Sequence, residues 1–153
     1  MNRRSWLIAG AISLITGVLI LIPRGIRNRN PGNIKKTSTV WQGQATAQKD
    51  PLYVVFINAV WGIRAIMRIL HNYQANYGLN TIRGLISRWA PPDENVTAQY
   101  VEFVSKRMLI SPDKTINVDE YLIPIARAIV SYENGYNPYG DAMFTDAQIK
   151  AMT

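Results

Sequence analysis

From Trp6 to Ile22 the chain carries no charged side chain, and only Ser13 and Thr16 bring polar ones. That run dictates the topology of whatever follows, because about 20 apolar residues suffice to cross a membrane's hydrocarbon core. Arg3 and Arg4 flank it on one side, Arg24 and Arg27 on the other, and Trp6 suits an interface. A cleaved signal peptide is the alternative, but Ile22-Pro23-Arg24 is a poor substitute for a small-x-small cleavage site. The expectation is one N-terminal transmembrane helix: a membrane anchor over residues 1–23, a folded domain over 24–153, and a single-pass membrane protein. Ser13 and Gly17 have the spacing of a close helix contact. The arginines on the two flanks oppose each other, so orientation stays open.

The 153 residues include no cysteine and a single histidine, His71. Thiolate and multi-histidine metal sites are therefore excluded, and neither a metal nor a cofactor is expected. Chemistry must come from carboxylates, hydroxyls, amides or the backbone. The net charge is +7, and Arg64, Arg68, Arg83, Arg88, Lys106 and Arg107 spread it along predicted helices. A basic face suits anionic lipid, cell-wall polymer or nucleic acid, but no nucleic-acid motif accompanies it, and no specific nucleic-acid partner is expected.

Beyond the apolar run, "NIKK", "STVWQG" and "LYVVFI" read as short strands, the last being rich in β-branched and aromatic residues. At Asn58 the period changes. Val60, Ile63, Met67 and Leu70 form one helical stripe, with Asn58 as N-cap and Gly78 just past the end. "NTIRGLISRW", stopped by Pro91-Pro92, "DENVTAQYVEFVSKRML" and "NVDEYLIPIARAIVSYENG" read as further helices, and "TDAQIKAM" as a last one with Thr145 and Gln148 in capping-box positions. Pro124 either kinks its helix or marks its first turn. The expected class is α+β, a mainly helical domain with a small antiparallel sheet confined to residues 33–57.

Two stretches look chemical. "RGIRNRNPGNI" concentrates asparagine in a turn, where it tolerates left-handed backbone; its amides would also suit a sugar rich in hydroxyl and N-acetyl groups. "ARAIVSYENGYNPYG" sets Glu133 at the end of an apolar helix among Tyr132, Tyr136 and Tyr139. A carboxyl desolvated in that way suits a general acid for a glycosidic oxygen.

"RGIRNRNPGNI", "WQG" and "TIRGLISRWAPPDENVTAQYV" resemble a group of small phage-encoded virion and lysin proteins that open on an Arg-Gly-Ile-Arg-Asn-Asn-Asn-Pro-Gly-Asn-like motif; Arg29 departs from the usual asparagine. More distantly, the order of "NRNPGNIKK", "WQG", "YVVFI" and "RWAPPDENVTAQY" resembles glucosaminidases of the lysozyme-like superfamily. "YENGYNP" resembles the Glu-Ser-Gly-Phe-Asn-Pro motif that ends the catalytic helix of lytic transglycosylases. The resemblance implies a lysozyme-like fold, circularly permuted so that the glutamate helix comes last. It also implies a catalytic Glu133 and a glycan groove of Asn30, Asn33, Trp41, Trp89 and Tyr136. With a single acid, lyase and hydrolase outcomes both stay open. The implied activity is peptidoglycan degradation by a membrane-anchored phage protein, with glycan strands, the membrane and other virion proteins as partners. The alternative is a non-enzymatic structural membrane protein of a virion.

Overall fold

The computed structural model describes residues 21–91 and 96–153. It is a helical domain: α1 (Arg24–Arg27), α2 (Ala59–Tyr77), α3 (Ile82–Trp89), α4 (Thr97–Met108), α5 (Leu122–Asn134) and α6 (Asp141–Met152), with a 3₁₀ turn at Val118–Glu120 before α5. α5 is the central element. Leu122, Ile125, Ala126, Ala128, Ile129 and Val130 are all buried, and α1, α2, α4 and α6 pack on it. Pro124 is its third residue, in the first turn, where a missing N–H breaks no helical bond.

α2 follows its sequence signals closely. The Asn58 side chain accepts from the Trp61 amide, and Gly78 ends the helix in left-handed conformation, φ 63°. Ile63, Ile66, Met67 and Leu70 bury completely. Complete burial of such side chains contributes about 1.5–3 kcal/mol each.

Two expectations are corrected here. The antiparallel sheet over residues 33–57 does not form: the segment holds only isolated bridges, Lys35 with Tyr53 and Gln44 with Phe56, so the domain is helical rather than α+β. The reason lies in side-chain amides that take the place of ladder rungs. Asn30 Oδ1 accepts from the Ile34 amide, while its Nδ2 donates to the Ile34 and Val54 carbonyls. Gln48 likewise accepts from the Val55 amide and donates to the Val55 and Ala45 carbonyls. Backbone groups bonded in this way are satisfied without pairing as strands.

The second correction concerns the transmembrane helix and the single-pass membrane localisation built on it. Among the described residues no helix is long and apolar enough to cross a membrane. Residues 6–20 of the uncharged run lie outside the described residues, and Leu21 and Ile22 precede α1 as exposed, non-helical chain.

The loop's other anchor is Asp50. Its carboxylate accepts from Arg24 Nε and Nη2 (both 2.7 Å), Asn28 Nδ2 (2.7 Å) and the amides of Leu52 and Tyr53 (both 2.9 Å). The Arg24 guanidinium, with help from Asn28 and the two amides, holds the Asp50 carboxyl far below the usual carboxylate range. In the Trp-x-Gly turn, Gly43 sits at φ 72° against the Trp61 ring; a Cβ there would lie 2.0 Å from a ring carbon. Only glycine fits that approach.

Candidate functional site

Four segments meet at Glu133: the turn after α1, the end of α3, the first turn of α4, and the last turn of α5. The turn is fixed from beneath. Gly25 lies so close to the chain that a Cβ would stand 2.6 Å from Asn134 Oδ1 and 2.9 Å from Asn33 Oδ1. Asn134 Nδ2 donates to the Pro31 carbonyl (2.8 Å), tying the end of α5 to the turn. Asn33 adopts left-handed backbone, φ 48°, which asparagine tolerates better than most residues.

In this frame three groups donate to the Glu133 carboxylate. Trp89 Nε1 (3.3 Å) and the Tyr100 hydroxyl (3.0 Å) reach Oε1, and Asn33 Nδ2 (3.1 Å) reaches Oε2. Both lone pairs of Oε1 are engaged, whereas Oε2 keeps one. A proton on this carboxyl therefore sits on Oε2. Tyr100 is fully buried, and its ring stacks on Tyr132 at 3.7 Å, so its hydroxyl is aimed by packing. Burial first, and then the neighbouring Glu133 charge, push the Tyr100 phenol far above its usual range, which keeps it a donor.

Glu133 opens on a cleft of about 540 Å³ walled by Trp41, Trp89, Tyr53 and Tyr73, with Gly32 and Asn33 on its floor. Gly32 permits the close floor: a Cβ there would meet Trp89 and Ile66 at 3.0 Å or less. Glu133 is the only acidic residue among the described ones lining this cleft, and no group of acidic or histidine side chains among the described residues could hold a metal. One carboxyl, two indole faces and an amide make a surface able to stack on sugar rings and pass one proton.

The residues singled out in the sequence divide. Glu133, Asn33, Trp41 and Trp89 come together in the cleft. Asn30 does not face it: the residue is wholly buried and bonds backbone. Tyr136 is exposed and lies outside the cleft lining. Asp93 and Glu94 lie outside the described residues. Tyr100 escaped the sequence reading, although a tyrosine on the buried stripe of a helix needs an acceptor for its hydroxyl and so signals a polar partner in the core.

No protein-family model matches the chain. Protein P5 of Pseudoalteromonas phage PM2 is 43% identical over 119 residues, which are 76% of this chain and 74% of that protein.

Proposed function

We propose, from the family to which this chain belongs, that of the phage PM2 Protein P5, and from the cleft around Glu133, that this phage-type protein cleaves glycan strands of peptidoglycan. The observation that carries the reading is the asymmetric hold on Glu133. Trp89 and Tyr100 saturate Oε1 and leave Oε2 to deliver a proton, in a cleft that Trp41 and Trp89 also line and where they would stack on sugars. Glu133 would protonate the leaving glycosidic oxygen. No second carboxylate lines the described cleft, so a neighbouring N-acetyl group of the substrate would attack the anomeric carbon. Water, or a hydroxyl of the same sugar, would then complete the reaction.

The test is turbidity loss of purified peptidoglycan. General acid catalysis contributes about 10²–10⁴-fold, so Glu133→Gln should lower the rate by that order. Glu102→Gln, on the exposed face of α4, should leave it unchanged. Full activity in Glu133→Gln would refute the reading.

A second reading has its own support. The same three hydrogen bonds make Glu133 a buried-side cross-link between the turn, α3, α4 and α5, which would serve a non-enzymatic structural protein of a phage particle. A folded wild type inert on peptidoglycan, with Glu133→Gln strongly destabilised, would favour it.

A further inference from the structure

A second cleft, of about 650 Å³, opens elsewhere on the α1 segment and the loop. Arg24, Arg27, Arg29 and Lys49 line it, and Asp50 is the one acid among its described lining residues. Asp50 is already committed: it closes a two-point pair with Arg24 and takes three further donors. None of Arg27, Arg29 and Lys49 pairs with a carboxylate among the described residues, and all three are exposed. Three like charges converging on one concavity repel, and the fold gains nothing from them there. Arg29 adds a second sign. It holds left-handed backbone at φ 55°, where asparagine or glycine is cheaper, and among the described residues its guanidinium donates to the Phe56 carbonyl at 3.3 Å and to no carboxylate. An arginine kept in an unfavourable conformation and lining one cleft with two other unpaired cations is an outlier that asks for a ligand.

We infer that this basic cleft binds a phosphate monoester. Charge matching selects the class. A dianion offsets most of three uncompensated cations, whereas a carboxylate would leave two of them facing each other. Guanidinium forks match phosphate oxygens in pairs. The volume exceeds a bare phosphate and leaves room for the sugar or glycerol that carries it. A lipid headgroup and a soluble sugar phosphate present the same chemistry. The site is separate from Glu133 and stands whether or not the glycan reading holds.

The test is calorimetric titration of the full chain with inorganic phosphate, beside sedimentation with phosphatidylcholine vesicles with and without phosphatidic acid. Wild type should bind phosphate saturably, and more tightly as pH rises through the second phosphate pKa near ~6. Arg29→Asn with Lys49→Gln removes two of the three free cations and should weaken binding by at least about tenfold. Arg29→Asn alone should weaken binding while unfolding at the same temperature or higher, a split that a purely structural arginine would not show. Vesicle binding that requires phosphatidic acid would identify the source as a headgroup; binding of inorganic phosphate alone would identify a soluble one. Failure of the wild type to bind either probe, or undiminished binding in the double variant, would overturn the site. Capture of an oligonucleotide with neither phosphate nor vesicles bound would reassign it to a phosphodiester backbone.

Discussion

The three asparagines of "RNRNPGN" do three different jobs. Asn28 holds Asp50, Asn30 replaces a rung between Ile34 and Val54, and Asn33 reaches Glu133. Composition marked the stretch as unusual but could not distribute these roles, because side-chain direction in a turn depends on one left-handed residue at Arg29 and another at Asn33. Substitutions should separate them. Asn30→Ala orphans the Ile34 amide and the Val54 carbonyl, and with about 1–3 kcal/mol per buried unpaired group the urea midpoint should drop by the equivalent of about 2–6 kcal/mol. Asn33→Gly keeps the backbone conformation and removes only the bond to Oε2; under the glycan-cleavage proposal it should slow turbidity loss of peptidoglycan with little change in stability. Equal losses of stability in both variants would contradict this division. Leu109, at φ 54° and 92% exposed, is a plain misfit at the end of α4. Leu109→Gly should raise thermal stability by about 0.5–1 kcal/mol, since a left-handed non-glycine residue costs about 1–2.

Elements with strong local signals were legible, and elements set by tertiary contact were not. α2 has its cap, stripe and terminal glycine in sequence, and all three appear in place. α6 begins at Asp141, four residues before the capping-box reading placed it; Thr145 lies inside the helix and its hydroxyl bonds the Asp141 carbonyl. Its buried stripe is narrow, Phe144, Ala147 and Ala151, and two arginines of α2 hold its end. Arg64 Nε donates to the Lys150 carbonyl (3.1 Å) and Arg68 Nη1 to the Ala151 carbonyl (2.9 Å), meeting the negative end of the helix dipole. Arg68→Ala should therefore destabilise the protein by about 1–3 kcal/mol, and hydrogen exchange should rise first in α6. A uniform rise across all helices would argue that α6 is not separately anchored. The loop 33–57 misled for the opposite reason. Ile34, Val54 and Val55 do bury, but Asn30 and Gln48 satisfy the backbone that strands would have paired.

At the scale of the whole molecule, the Arg24–Asp50 ion pair fastens the irregular loop to the α1 segment of the helical domain. Asp50 has a folded pKa well below its unfolded value, so its contribution is fully present above the unfolded value, ~4, and is lost as pH falls toward the folded one. Acid should loosen the loop before the helices: protease cleavage within residues 35–57 should appear at a pH where far-ultraviolet circular dichroism is still unchanged. Asp50→Asn should move that cleavage to neutral pH. Coincident loss of both signals would show that loop and core unfold as one. The permutation implied by the resemblance of "YENGYNP" to lytic transglycosylases put the glutamate helix beside the asparagine turn, and Asn33 does meet Glu133. What no local pattern carried was the absence of a sheet between them.

The bond from Asn134 to the Pro31 carbonyl closes a span of 103 residues, and that from Asn33 to Glu133 a span of 100. Contacts so remote along the chain are slow to form, because loop closure must precede the reward. On a ribosome the turn and the tryptophans emerge long before the residue they surround. The Glu133 carboxyl thus joins the cleft after the turn and the tryptophans that surround it have been made. Trp89 fluorescence, sensitive to its bond with Glu133, should change in the slowest refolding phase, and that phase should lose its Trp89 signal in Glu133→Leu.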